Sequence, residues 1–282
     1  MPSACNSKRG MIKKLRSLSL FLLVALVLVA ALSWQAGTQL LAPAHSAVGL
    51  PPTDFPAETV KIPSESGSTL AGWFAAPESP KGVVVLLNGI RGTRTGMLER
   101  ARWLYGIGYA VLLVDLQAHG ESTGECITMG YLESRDAKAA VEFARSRSNG
   151  KPVALIGRSL GGAAALLGSP LGVDALVIES VYGTIEEAAA NRMAIRLGFM
   201  GPPASQLLLC QLKPRLGICC ADLHPIDRIA KVGCPILIMS GSDDLHTTLA
   251  ETQRLFETAV EPKLLLIVEG ATHQDLERFD SV

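Results

Sequence analysis

The chain has 282 residues, 48% of them apolar, and its 26 Lys plus Arg are balanced by 26 Asp plus Glu. Balanced charge gives no global attraction to nucleic acid or another polyanion, and this apolar content argues against a disordered or fibrous protein. The length accommodates one targeting or membrane segment followed by a globular domain of about 230 residues, a size typical of open α/β enzymes.

Lys8, Arg9, Lys13, Lys14 and Arg16 precede "LSLFLLVALVLVAAL" (residues 18–32), and no Asp, Glu, Lys or Arg follows until Asp54. An apolar run of about fifteen residues is too costly to leave in water, so the segment belongs in a bilayer or a translocon. Residues 33–41 extend it toward a full span, and residues 18–40 therefore read as a transmembrane anchor. The alternative is a cleaved signal, for which "LAPAHSA" (residues 41–47) offers small-residue sites. The basic residues 1–17 stay cytoplasmic under the positive-inside rule, which places the rest on the extracytoplasmic side. Residues 41–57, with the Pro-rich "PPTDFP", read as a stiff linker, and residues 58–282 as the domain.

Within the domain, "ETVKIPS" and "STLAGWFAA" read as a leading pair of strands, and "GVVVLLNG" and "YAVLLVDLQAHG" as β-branched runs that end in turn residues. A helical stripe over residues 95–108 separates the last two, and Ala137, Ala140, Val141 and Ala144 mark a second helix. Strand "PVALIG", helix "SLGGAAALLG", strand "DALVIES", an irregular helical stretch, strand "CPILIMSG", helix "TLAETQRLFETA" and strand "PKLLLIVEG" complete the series. Strands bounded by helices at this spacing imply a mainly parallel sheet covered on both faces.

Open sheets of this kind place their chemistry beyond the carboxyl ends of the strands. Gly157-Arg158-Ser159-Leu160-Gly161 has the GxSxG spacing directly between a strand and a helix, the context of a nucleophile elbow. A serine hydroxyl needs a base to take its proton, so this elbow predicts a His and an acid downstream. "IMSGSDDLHTT" supplies Asp243 and Asp244 after the next-to-last strand, and "IVEGATHQDL" supplies His273 after the last. The order Ser, Asp, His is the chain order of this arrangement. His45 lies in the tether. His119, His224 and His246 are alternatives, of which His119 reads as a loop residue.

From residue 59 to 273 the chain resembles the α/β-hydrolase superfamily. "DLQAHGESTGE", "GRSLGG", "HPIDRIAKVGCPILIMSGSDD" and "EGATHQDL" are similar to its membrane-anchored serine hydrolases with monoacylglycerol-lipase-like and serine-aminopeptidase-like domains. The resemblance implies an eight-stranded-type, mainly parallel sheet flanked by helices with a helical cap insertion at about residues 182–223. It also selects Asp244, three residues after Gly241, as the acid. It implies an oxyanion hole from the main-chain amides of Ile90 and Leu160. Two features depart from the family pattern: the early strand ends in Asn88-Gly89 where His-Gly is usual, and only nine residues follow His273 where a closing helix is usual.

The insertion carries Met193, Ile195, Leu197, Phe199 and Met200 before "GPP" and Leu207, Leu208 and Leu209 after it, side chains suited to covering the nucleophile and lining an acyl pocket or to ordinary helix packing. Glu186 and Glu187 suit either recognition of a free amine or a solvated helix face. Six cysteines follow no zinc-ligand spacing, and no metal or other cofactor is expected. A bridge from Cys210 to Cys219 or Cys220 would close a short loop in the cap, the alternative being small apolar packing residues. The expected protein is thus a serine hydrolase cleaving small carboxylic esters through an acyl-enzyme at the membrane, with no nucleic-acid partner. An aminopeptidase-like amide hydrolase and a non-catalytic binding protein are the alternatives.

Overall fold

A computed structural model describes residues 3–273, 275 and 276, with residues 3–13 described by their backbone alone. The residues beyond His273 expected to fall short of a closing helix lie largely outside this description. The apolar N-terminal run forms one helix, α1 (Ser3–Leu41), and the most apolar 18-residue window within its segment Lys14–Leu41 has a mean hydropathy of 2.5 with none of that window buried. The segment's 28 residues span ~42 Å at 1.5 Å per residue, more than the ~30 Å of a hydrocarbon core. The chain divides into two units between Leu40 and Leu41.

The second unit is built on eight strands: β1 (Ala57–Pro63), β2 (Thr69–Ala75), β3 (Val83–Leu87), β4 (Ala110–Val114), β5 (Val153–Arg158), β6 (Ala175–Glu179), β7 (Ile236–Gly241) and β8 (Lys263–Val268). Their order in the sheet is β8-β7-β6-β5-β3-β4-β2-β1. β2 runs antiparallel to both its neighbours, and all other pairs are parallel. Central β3 reads Val-Val-Val-Leu-Leu because both its faces are covered. Val83, Val85 and Leu87 join the large core shared with α3 (Glu133–Arg147), α4 (Leu160–Leu167) and α8 (Leu249–Thr258), while Val84 and Leu86 join the smaller core with α2 (Leu98–Gly106). The sheet and its flanking helices agree with the architecture expected from the sequence.

Residues 41–57, expected as a linker, are instead strapped along the second unit. Ala44 and His45 pair in parallel with His119 and Gly120, and Leu41 accepts a hydrogen bond from the Ile127 amide at 2.9 Å. The amides of Val48 and Gly49 donate to Glu121 Oε1, and Phe55 is buried against Tyr105. An extended, Pro-rich segment has unpaired main-chain groups, and the 118–127 loop supplies their partners.

The strap, the loop after β4 and the loop after β3 meet at Arg94, a residue buried to 1% exposure. Its guanidinium pairs with Asp115 and Glu121, donates to the Gly49 carbonyl at 3.3 Å and lies 4.7 Å from the Trp73 ring centre. Asp115 also accepts the main-chain amides of Arg94 and Glu121. Burial pushes the Asp115 pKa up, and these amides and the guanidinium pull against that shift. Arg94→Ala leaves Asp115 buried without its cation, and removing one partner of such a pair typically costs about 3–5 kcal/mol. Chemical denaturation is expected to show a loss in that range; a loss below about 1 kcal/mol would assign the pair no more than a surface role.

Candidate active site

Ser159 alone makes the turn between β5 and α4, with φ 49° and ψ −113°, a conformation that side-chain-bearing residues rarely adopt. The surrounding glycines explain how it is imposed. A Cβ on Gly161 would stand 2.4 Å from the Leu87 carbonyl oxygen, one on Gly157 would stand 2.7 Å from the Gly162 amide, and one on Gly162 would stand 2.3 Å from Val181. Without those side chains α4 starts directly above the ends of β3 and β6. The Ser159 amide donates to the Glu179 carbonyl at 2.8 Å, and the Ser159 carbonyl accepts from Ala163.

The loops carrying Asp244 and His273 are zipped together by their main chains. Ser242 donates to Val268, Asp243 donates to Ala271, and Gly270 donates to the Ser242 hydroxyl at 2.8 Å. Gly241 is what permits this approach, since a Cβ there would stand 2.0 Å from the Ala271 carbonyl oxygen. His273 then places Nδ1 2.8 Å from Asp244 Oδ2 and Nε2 3.1 Å from Ser159 Oγ. The three residues that the elbow and the two loops singled out form one hydrogen-bonded chain. Asp243, the rival carboxylate, is exposed and accepts only from the neighbouring Ser242 hydroxyl, at 3.1 Å, among the described residues.

Asp244 is buried and fully used as an acceptor. The amides of His246 and Thr247 donate to Oδ1 at 2.8 and 3.0 Å, and the Thr247 hydroxyl donates to Oδ2 at 2.6 Å. Burial raises its pKa, but the hydrogen bond and charge of His273 and the Thr247 donors more than offset this and hold the carboxyl well below the usual range. Thr247 was not singled out from the sequence; the Asp-x-x-Thr spacing of a side-chain-capped turn is the signal that could have found it. Asp244, His246 and His273 bring metal-ligating atoms within 4.8 Å of one another, yet both oxygens of Asp244 are already engaged by protein donors.

The third component is the turn after β3. A Cβ on Gly89 would lie 3.4 Å from the Ser159 Cβ, so the turn that carries Ile90 rests against the serine, while Leu160 follows it as the first residue of α4. Asn88 accepts from the Gly89 amide at 2.8 Å and donates to the Thr93 carbonyl. Its amide group fills the space that side chains at Gly92 or Gly96 would need. The Asn-for-His departure thus braces this loop from within.

The insertion after β6 forms α5 (Ile185–Leu197), α6 (Gly201–Leu209) and α7 (Leu212–Leu216). A Cβ on Gly201 would stand 2.3 Å from the Ala194 amide, so α5 and α6 meet through small residues and leave their bulky side chains outside. Phe199 is 89% exposed, and Ile195, Leu197, Met200 and Leu207 are exposed as well, so these five are buried neither as a pocket lining nor by helix packing, the two readings open for them. Glu186 pairs with His224 at 2.8 Å, and Glu187 pairs with Arg254. His119 is buried with Nδ1 2.8 Å from the Gln117 carbonyl, and His45 contacts the Gly124 carbonyl. Cys126, Cys210, Cys219, Cys220 and Cys234 are free thiols, so no bridge from Cys210 closes the cap.

Sheet order, elbow and loop positions define an α/β hydrolase. Residues 78–210 match the family model described as serine aminopeptidase, S33. The uncharacterized protein MT2364 of Mycobacterium tuberculosis is 30% identical over 283 residues, covering 95% of this chain and 92% of that protein. Human protein ABHD12B is 29% identical, over 70% of this chain and 57% of its own. Among solved structures, the Pyrococcus furiosus esterase Pf2001 superposes with a TM-score of 0.68 at 22% identity, covering 85% of this chain and 92% of that one. The chain belongs to the α/β-hydrolase superfamily, within its S33-like branch.

Gly241→Ala is expected to force the acid and base loops apart at the cost of an overpacked site, about 1–3 kcal/mol. Thermal or chemical unfolding measures this, and an unchanged midpoint would show that the loops separate freely.

Proposed function

We propose that the chain is a serine esterase that cleaves small carboxylic esters through an acyl-enzyme. The single observation that carries this reading is the continuous hydrogen-bond path from Asp244 Oδ2 through the His273 ring to Ser159 Oγ. His273 Nε2 takes the hydroxyl proton as Oγ attacks the ester carbonyl, and the imidazolium that forms is stabilised by ionised Asp244. The amides of Ile90 and Leu160 receive the developing oxyanion, and donors of this kind are worth about 3 kcal/mol each. Collapse of the tetrahedral adduct passes the proton from His273 to the departing alcohol. Water, activated by the same imidazole, then releases the acid and restores Ser159.

The esterase name of the Pyrococcus furiosus neighbour belongs to that protein, and the fold likeness is compatible with the same chemistry here. An aminopeptidase would need a carboxylate to receive a free amine, and Glu186 and Glu187 are already engaged by His224 and Arg254. That favours the ester. The exposed apolar helix Lys14–Leu41 supports a membrane location, with its basic flank cytoplasmic and the domain outside.

A fluorophosphonate probe is expected to label the chain at Ser159, with labelling abolished in Ser159→Ala; labelling that survives the substitution overturns the assignment. Loss of the orienting carboxylate in Asp244→Asn should lower kcat for a p-nitrophenyl ester by about 10⁴-fold, the size known for such a change in a serine protease, whereas Asp243→Asn should change it only a few-fold. The opposite ranking would move the acid to Asp243.

A further inference from the structure

His246, an alternative to His273 as base on sequence grounds, meets the site in three ways without entering the proton path. Its amide donates to Asp244 Oδ1 at 2.8 Å, and its carbonyl accepts from Asn191 Nδ2 of α5 at 3.2 Å. Its ring lies against the ring of His273, with centroids 4.9 Å apart and planes 32° from parallel. Among the described residues neither ring nitrogen of His246 makes a hydrogen bond, so the face contact is what this side chain contributes. The residue is half-buried, and both its main-chain groups are held, one by the acid and the other by the cap.

His273 has a use for such a contact. Its Nδ1 is bound to Asp244 Oδ2 and its Nε2 to Ser159 Oγ, at 2.8 and 3.1 Å. In the proposed reaction the first bond persists, but Nε2 changes partner from the serine to the departing alcohol and then to water. A ring held at one corner can pivot, and a misplacement of about 1 Å can cost about 100-fold in rate. Contact at the face constrains the plane of the imidazole at every step. An uncharged His246 also presents the negative face of its π system to the imidazolium that forms. Burial, followed by the charges of His273, Arg192 and Arg196, pulls the His246 pKa down against the pull of Asp244, which favours that uncharged form.

We propose that His246 is a positioning residue for the general base, its ring face setting the plane of the His273 imidazole so that Nε2 stays directed at the reacting oxygens. This inference rests on the esterase reading for its catalytic consequence and on geometry alone for the ring contact. Through the Asn191 bond to the His246 carbonyl, helix α5 of the cap reaches the base by way of one intermediate residue.

Three full-length variants separate the ring face from the rest of the side chain. His246→Phe keeps an aromatic face and removes both nitrogens, His246→Leu keeps bulk alone, and His246→Ala removes both. With p-nitrophenyl butyrate, His246→Leu and His246→Ala are expected to lower kcat about tenfold, the scale of one lost ring contact, with KM within about twofold. His246→Phe is expected to hold kcat within about threefold of the parent. Histidine ring-proton NMR of the same chains reads the contact itself. The His273 signal, assigned by its loss in His273→Ala, should move in His246→Leu and His246→Ala, which lack a ring current, while the signals of His119 and His224 stay in place and report an intact fold. Equal kcat in His246→Phe and His246→Leu overturns the inference, and so does a raised KM at unchanged kcat, which would make His246 a substrate contact. A parent chain that hydrolyses no ester refutes the esterase reading; the NMR measurement then decides the ring contact, upholding it if the His273 signal moves and overturning it if the signal does not.

Discussion

The first turn of α4 lies so close to the ends of β3 and β6 that Gly157, Gly161 and Gly162 have no room for a side chain. That packing holds Ser159 in a strained conformation, which a single residue at a free turn would not keep. The unfavourable backbone geometry is offset by the central sheet, whose strands are buried on both faces and cannot shift to relieve it. Because β3 is also the strand that ends in the Asn88-Gly89 turn, the same contact that strains the serine brings the Ile90 turn against it. One steric constraint therefore sets two of the three parts of the site.

The third part has its own constraint of the same kind. At Gly241 two main chains pass at a separation that excludes a Cβ, and the hydrogen bonds between the acid and base loops follow from that approach. His273 is thus located by backbone pairing before its side chain meets Asp244 or Ser159. The arrangement leaves the imidazole half-buried between the Asp244 carboxylate, whose pKa is held low, and the Ser159 hydroxyl. Arg94 acts further out, tying the 41–49 strap and the loops after β3 and β4 into one ionic cluster that is buried at Arg94 and Asp115 and open at Glu121.

Much of this was legible in the sequence because it is written in short-range signals. The β-branched runs, the GxSxG spacing and the positions of the Asp243-Asp244 pair and of His273 after consecutive strands each depend on residues close in the chain, while the choice of Asp244 came from the family resemblance. What was hidden depends on residues far apart. Arg94 carries no short-range signal, and its role comes from Asp115, Glu121 and Gly49 converging on it, while residues 44–45 read as linker until His119 and Gly120 offer an edge. The apolar residues of the cap read equally well as a pocket lining, and only the Gly201–Ala194 contact between α5 and α6 shows why they lie outside.

In the proposed reaction Ser159 forms a covalent acyl intermediate with the help of His273. Rapid mixing of the full-length chain with excess p-nitrophenyl ester tests this most directly, combined with acid quenching and peptide mass mapping of the trapped product. The expected result is a burst approaching one equivalent of p-nitrophenol per chain and an acyl group on the peptide that contains Ser159. Linear release with no burst, on a chain that turns the ester over without any acyl adduct at Ser159, would contradict it.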